Sequence, residues 1–263
     1  MALNKQQRKL LRHLRSRHGR RKTGRVLCEG TRCCAEALRS PNFALDFAVC
    51  THAFMAALEM GNARLELPPN GRIIAIAEDE FSEIATTESP QGVLCVLIPP
   101  EPSDKPLPTV LHPFVLILDR VSEPGNVGTI LRTAWAIGLS EVWYTEGTAD
   151  PLAPKTIRAG MGAQFSMGLR RFADLPEAAL ALNSLGAAGL WCAMPRNGIS
   201  CFDERFALER CGLVIGNEAE GIRDDQLGQA VSIPMPGGAE SLNAAQAATV
   251  LLVEAVRRKL TND

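Results

Sequence analysis

Val231-Ser-Ile-Pro-Met-Pro-Gly-Gly-Ala-Glu-Ser-Leu-Asn243 runs straight into an apolar helical pattern that extends from Ala244 to Leu260. A short apolar strand (Val231, Ile233) breaks at two prolines, a glycine pair opens the backbone, and Ser241 and Asn243 stand where a helix would begin. Such a loop wraps around something and is then pinned by a helix. Taken alone, the same grammar fits an ordinary strand–loop–helix connection, so the rest of the chain has to decide.

Upstream, short apolar runs alternate with helical patterns. Residues 114–118 form a nearly all-apolar strand of the kind buried on both faces, followed by a loop over 119–126 and a helix over 127–137. Strands are predicted at 141–144, 166–170, 189–193, 211–215 and 231–233, with helices at 151–159 and 176–185. This pattern predicts a mostly parallel sheet covered by helices on both faces. Before it, a smaller α/β unit is predicted from strands at 25–28, 45–50, 72–77 and 93–98 and helices at 31–38, 51–60 and 78–85. The stretch 99–108 holds five prolines in ten residues, which remove donors and favour extended backbone. The boundaries drawn are therefore 1–98 for a basic arm plus small α/β domain, 99–112 for a linker, and 113–263 for the second domain.

Three loops follow strands of the second domain, where open α/β sheets bind their ligands. The first is Glu123-Pro-Gly-Asn-Val-Gly-Thr-Ile-Leu-Arg-Thr-Ala134. Gly125 and Gly128 allow close approach near a helix start, and Arg132 lies one turn beyond Gly128. Neither a G-x-G-x-x-G nor a G-x-x-x-x-G-K-[ST] motif occurs. The second loop is Gly216-Asn-Glu-Ala-Glu-Gly221, and the third is the stretch quoted at the outset. Arg132 taken singly fits a surface arginine, and Glu218 a structural turn carboxylate.

In this order the three loops resemble the SpoU/TrmH family of SPOUT RNA methyltransferases. The pattern N-x-G-x-x-x-R-[TS]-A is met by Asn126, Gly128, Arg132, Thr133 and Ala134. An apolar strand into G-x-E-x-x-G is met by Gly216, Glu218 and Gly221, and I-P-M-x-G-x-x-x-S-L-N by Ile233, Pro234, Met235, Gly237, Ser241, Leu242 and Asn243. The resemblance spans about residues 114–260. A shorter one, through Arg25-Val-Leu-Cys-Glu-Gly30 and the helix holding Ala35 to Leu38, links the first domain to the substrate-binding domain often fused to this family.

The resemblance implies an α/β SPOUT domain with a C-terminal trefoil knot, preceded by a small α/β RNA-binding domain. It implies S-adenosylmethionine as cofactor, held through Gly216, Ile233, Met235 and Leu242, and a homodimer with the site at the subunit interface. The implied product is a 2′-O-methylated ribose in rRNA or tRNA. Asn126, Arg132, Glu218, Ser241 and Asn243 are the implied catalytic set. The chain departs from the family after Asn243, where Ala-Ala-Gln-Ala-Ala replaces a β-branched then polar pair. It departs again at Val253-Glu254, which replaces an aromatic–Glu pair; both departures fall on the helix expected at the dimer interface.

Methyl transfer from a sulfonium is an in-line displacement, so the protein mainly aligns the reacting atoms and makes the hydroxyl more nucleophilic. The four histidines, His13, His18, His52 and His112, lie away from all three motifs. A guanidinium does not normally give up its proton, so Arg132 is expected to bind the adjoining phosphate bidentately and polarise the ribose hydroxyl. Glu218 could accept the hydroxyl proton or hold Arg132 in place. Two alternatives remain open on sequence: a non-catalytic RNA-binding or assembly protein on the same fold, and a base-directed methyltransferase.

Charge is distributed unevenly. Ten of the 28 basic residues fall within the first 25 positions and no acidic residue precedes Glu29, which leaves 18 basic against 29 acidic residues in the remainder. A basic arm on an acidic protein points to a polyanion, with Arg12, Arg15, Arg20, Arg21, Lys22 and Arg25 as expected RNA contacts. The alternative is a solvated, partly disordered tail. The eight cysteines form no C-x-x-C pair, so they are expected to be reduced core residues, with neither metal nor disulfide. No run of about 18 apolar residues occurs and the basic N-terminus lacks a signal-peptide core. A cytoplasmic protein without membrane contact is the expectation.

Overall fold

The structure, a computed structural model, describes residues 2–100, 107 and 113–258. Most of the proline-rich stretch 99–112, and the end of the helical pattern at Leu260, lie outside the described residues. The chain forms two compact units, one of Met1–Asp104 with Leu152–Ser166 and one of Lys105–Pro151 with Met167–Asp263.

The first unit opens with α1 (Lys5–Leu14) and α2 (Arg17–Thr23), which sequence reading did not anticipate as helices. Then follow β1 (Val26–Glu29), α3 (Thr31–Arg39), β2 (Ala44–Thr51), α4 (His52–Glu59), β3 (Ile73–Ile76), α5 (Glu78–Ile84) and β4 (Val93–Ile98). The sheet order is β1-β4-β2-β3; β4 runs antiparallel to both neighbours, and β2 and β3 are parallel.

The basic stretch is built into this unit. Asn4 and Gln7 form a reciprocal capping box at the start of α1. Leu3, Leu11 and Leu14 are buried in the same cluster as Leu27, Phe47, Phe81 and Leu94. The two helices meet so closely at Gly19 that a Cβ there would lie 1.9 Å from the His13 carbonyl oxygen. Arg20, one of the expected RNA contacts, is only 7% exposed and donates from Nη1 to the Leu14 carbonyl at 2.9 Å, which gives it a part in the fold. Arg25 is ion-paired with Asp46 and donates to the Thr23 carbonyl, whereas Arg12, Arg15, Arg21 and Lys22 are exposed.

Leu14→Ala is therefore expected to destabilise the protein by about 2–5 kcal/mol, the usual cost of emptying a buried leucine site. Denaturant unfolding would show this as a lower midpoint at unchanged slope. Removing residues 1–22 strips the same cluster, so that deletion reads stability together with any RNA contact.

The second unit contains β5 (Val115–Leu118), α6 (Pro124–Ala136) and β6 (Glu141–Thr145). Next in the chain comes α7 (Pro154–Gly160), within the segment that packs with the first unit: Ile157 and Phe165 join Val26, Cys28 and Ala37 in one cluster. The second unit resumes with β7 (Gly168–Phe172), α8 (Leu175–Ser184), β8 (Gly189–Ala193), β9 (Ile199–Ser200), β10 (Cys211–Ile215), β11 (Gln229–Ser232) and α9 (Ala244–Arg257). Its seven strands run in the order β7-β6-β5-β10-β8-β11-β9, every neighbouring pair parallel.

Period-2 alternation divides each central strand between two cores. Leu116, Leu118, Leu213 and Ile215 pack with Val127, Ile130 and Leu131 of α6 and Ala248, Leu251 and Leu252 of α9. Val115, Ile117 and Val214 pack with Leu175, Ala178 and Leu182 of α8 on the other side. Helices thus cover both faces, as a parallel sheet requires. The chain steps outward from β5 through β6 to β7 and then crosses to the far side of β5. This reversal brings the ends of β5 and β10 together where such folds bind ligands.

The predicted loop over 119–126 is shorter than expected. Pro124 occupies the first turn of α6, where a missing N–H costs nothing and a fixed φ suits the helix, so Gly125 and Asn126 belong to the helix. At the other end of the unit, buried Glu254 accepts from Arg257 and Arg258 at 2.6–2.7 Å. Hydrogen bonding from Arg257, against the opposing effect of burial and helped by Arg258, holds its carboxyl down at about 2. Arg258 in turn donates to the carbonyls of Cys201, Asp203 and Phe206, which ties α9 to the segment after β9. All eight cysteines are free and buried.

Candidate active site

The loop leaving β5 begins with Asp119, buried and accepting from Thr145 Oγ1 at 2.8 Å. Arg120 follows in the left-handed region (φ 56°). Its guanidinium pairs with Glu220 and donates to the Gly221 carbonyl at 3.3 Å. Asn217 donates back to the Arg120 carbonyl at 2.8 Å, while its Oδ1 accepts from the backbone of Ala219 and Glu220 at 2.9 and 3.0 Å. The loops after β5 and β10 are locked by this exchange. The second loop is so tightly folded that a Cβ on Gly216 would lie 2.6 Å from the Gly221 carbonyl carbon, which accounts for a glycine there whatever else the loop binds.

Glu218 forms the second tie. Its Oε2 accepts from Ser122 N and Oγ at 3.0 and 2.9 Å, and its Oε1 accepts from Glu123 N at 3.2 Å and Asn126 Nδ2 at 2.8 Å. Partial burial pushes the carboxyl up, but hydrogen bonds from Asn126 and Ser122 outweigh it and hold the group at about 2. Within this chain the four donors to Glu218 come from Ser122, Glu123 and Asn126, and no ion pair with Arg132 occurs among the described residues.

Asn126 carries the tie onward. It is 9% exposed, and its Oδ1 accepts from Asn243 Nδ2 at 2.9 Å. Asn243 caps α9, its own Oδ1 accepting from Ala245 N and Gln246 N at 2.9 and 3.3 Å. Because an ionised carboxylate can only accept, Asn126 must turn its NH2 toward Glu218 and its oxygen toward Asn243. One hydrogen-bonded line, Glu218–Asn126–Asn243, therefore joins all three motif loops.

Beside this line lies a cavity of about 540 Å³. Its apolar wall is Val231, Ile233, Met235, Leu242 and Leu251; the loop 216–221, Ala193 to Pro195 after β8, Glu240, Ser241 and Asn243 complete it. All four residues expected to hold the cofactor line this cavity, as do Glu218, Ser241 and Asn243 among the expected catalytic set. Asn126 and Arg132 do not. Arg132 is exposed on α6 and makes no hydrogen bond or ion pair among the described residues. Sequence reading missed Ser122, Arg120 and Asn217. The only signals for them were a charged pair directly after an apolar strand and the position between Gly216 and Glu218.

Among the described residues, no group of three or more histidine, cysteine or acidic side chains could hold a metal ion, and no helix is long and apolar enough to cross a membrane.

The sequence model of the SpoU rRNA Methylase family matches residues 113–253, and that of the MRM3-like substrate binding domain matches residues 5–95. The 23S rRNA (guanosine(2553)-2′-O)-methyltransferase RlmP of Bacillus subtilis is 33% identical over 242 residues, covering 91% of each chain. The SpoU methyltransferase AviRb of Streptomyces viridochromogenes, solved in complex with the cofactor AdoMet, superposes with a TM-score of 0.80 at 28% identity over 98% of this chain and 99% of that one. An AdoMet-bound rRNA methyltransferase of Sinorhizobium meliloti gives 0.79 at 26% identity over 98% and 97%. A family match over more than half the chain and a relative of one-third identity along nearly its whole length lead to one conclusion: the chain belongs to the SpoU rRNA Methylase family.

Proposed function

We propose that this protein transfers a methyl group from S-adenosylmethionine to a ribose 2′-hydroxyl of RNA, with ribosomal RNA as the first substrate class. The observation that carries the reading is the Glu218–Asn126–Asn243 line, which fixes three motif loops around an apolar cavity at the strand ends. The cavity suits the cofactor: its volume is that of a small-molecule site, with an apolar wall and a few polar groups from two loops. The rRNA ribose activity named for RlmP and the AdoMet bound by AviRb support the same reading.

When bound, S-adenosylmethionine supplies an electrophilic methyl group. This chain's residues do the rest by placement. Ile233, Met235 and Leu242 exclude water along the apolar wall. Asn243 holds the start of α9 beside the cavity, and Asn126 sets its rotamer. With both oxygens engaged and its basicity lowered, Glu218 acts as a positioning residue and makes a poor proton acceptor. Arg132, whose side chain has no partner among the described residues, is the cation for the RNA phosphate and the reacting hydroxyl.

Since Arg132 lies outside the wall of its own chain's cavity, the reading includes a homodimer through the C-terminal domain, in which two chains complete one site. Exposed Val253 and Val256 on α9 offer an apolar face for it. The C-terminal trefoil knot and a cytoplasmic setting belong to the same proposal.

The test is incubation with methyl-labelled S-adenosylmethionine and unmodified rRNA or tRNA, then digestion to nucleosides. Label in a 2′-O-methylated nucleoside from rRNA is expected. Label on a base, or no transfer to either RNA by cofactor-loaded protein, would sink the reading.

A further inference from the structure

A second, open cavity of about 480 Å³ is lined entirely by residues of the first unit. It is lined by Arg15 at the C-terminal cap of α1, by Ala85 to Glu88 after α5, and by Ala153, Pro154, Lys155 and Arg158 from the inserted segment. Among its lining residues the charged ones are Arg15, Lys155, Arg158 and the exposed Glu88.

The arginines are held in place by neutral oxygens. Arg15 Nη2 donates to the carbonyls of Glu83 and Ala85 at 3.1 and 3.0 Å, at the end of α5. Arg158 Nη1 donates to Thr86 Oγ1 at 2.7 Å. These bonds fix orientation without cancelling charge. An arginine has five donors, and the bonds described here occupy one nitrogen of each guanidinium.

Beneath the cavity sits Glu29, only 3% exposed. Its Oε2 accepts from Thr86 N and Thr86 Oγ1 at 2.6 and 2.5 Å, and its Oε1 accepts from Thr87 Oγ1. Those two hydroxyls therefore point their protons inward to a buried carboxylate, and Thr86 Oγ1 is left as the acceptor that aims Arg158. A buried carboxylate thus orients two half-buried threonines and, through Thr86, an arginine. A helical turn from further along the chain completes the cavity, since Arg158, 72 residues beyond Thr86, belongs to α7.

We infer that this cavity binds a backbone phosphate of the substrate RNA, with Arg15 and Arg158 as the paired cations and Lys155 on its rim. Fixed guanidinium forks match the spacing of phosphodiester oxygens, which a mobile surface lysine does not. Arg12, exposed in the last turn of α1, adds a further cation one turn before Arg15. The inference rests on the RNA reading above. It assigns part of the basic α1 surface and the inserted segment to one contact.

The experiment measures binding of full-length protein to unmodified 23S rRNA transcript across a salt series, with S-adenosylmethionine affinity and thermal unfolding measured on the same samples. The double variant Arg15→Gln/Arg158→Gln is expected to bind RNA about tenfold more weakly. The slope of log K against log salt should fall in magnitude by about 0.7–0.9, the loss of one phosphate contact, with cofactor affinity unchanged. Glu88→Gln, which touches no fold contact described here, should bind about two- to threefold more tightly. A double variant that keeps the wild-type slope, or a Glu88→Gln protein with unaltered affinity, overturns the assignment; the latter decides even if the double variant fails to fold. Failure of the RNA reading itself looks different, because wild-type protein would then show no salt-dependent binding to the transcript.

Discussion

Arg132→Ala is expected to lower the rate of methyl transfer by roughly 10²–10³-fold, about 2.7–4 kcal/mol of transition-state stabilisation, while thermal unfolding stays at the wild-type midpoint. The second half of that expectation comes from what Arg132 does not do. It is exposed and makes no hydrogen bond or ion pair among the described residues, so its removal leaves no buried partner stranded. Other arginines would behave otherwise: Arg20, Arg120 and Arg258 hold backbone carbonyls, and their loss would cost stability. Arg132→Lys separates charge from geometry. Lysine keeps the charge but not the planar fork, so a bidentate role predicts activity between wild type and alanine, close to the alanine value. Single-turnover kinetics at saturating S-adenosylmethionine, with RNA affinity measured in parallel, make the check. If Arg132→Ala lost RNA affinity with an unchanged single-turnover rate, the residue would be a docking contact only.

The second unit was legible in the sequence for a physical reason. Strands buried on both faces must be continuously apolar, and 114–118, 189–193 and 211–215 all are. What local pattern cannot carry is order: nothing in the run from β5 to β11 states that β10 lies between β5 and β8. The packing of residues 152–166 with the first unit is hidden for the same reason. Residues 152–166 look like any helical turn of the second domain, and their burial with Val26 and Ala37 is a pairing across more than a hundred residues. The basic stretch failed differently. Leu11 and Leu14 stand at helical spacing, but the dense charges around them pulled the reading toward a solvated arm, and their burial partners lie in distant strands. At the site, the motif residues themselves could be placed, whereas the Ser122 and Glu123 amides that saturate Glu218 could not, because a backbone donor leaves no mark in the residue type.

Asn126 is where the largest combined loss is expected, because a single amide spans both halves of the line. Asn126→Leu removes the donor to Glu218 Oε1 and the acceptor from Asn243 Nδ2 together. Each stranded partner costs about 1–3 kcal/mol where it stays buried. Partial exposure of Glu218 and Asn243 lets water recover some of that, so about 1–3 kcal/mol in all is expected from denaturant unfolding. The rate should suffer more. With Asn243 no longer oriented, the start of α9 and the cavity wall beside it are free to shift, and displacements of about 1 Å near a reacting centre cost on the order of 10²-fold. The titration of Glu218 supplies a second, independent readout. Its carboxyl sits near 2 in the folded protein, below the ordinary 4.5. The stability it contributes is therefore complete above the unfolded value and is lost as pH falls from about 4.5 through about 2. Losing the Asn126 donor moves the folded value up toward the ordinary one, so the variant's disadvantage is present at neutral pH and shrinks as both proteins are acidified through that window. Asn126→Asp should be worse at neutral pH, since it sets a second carboxylate against Glu218 and can donate only by taking up a proton. A cycle with Glu218→Gln tests whether the two residues act as one unit: the double variant should cost clearly less than the two single losses together. Strict additivity in both stability and rate would mean that Asn126 and Glu218 serve separate ends, and that the three loops are held together by something other than this line.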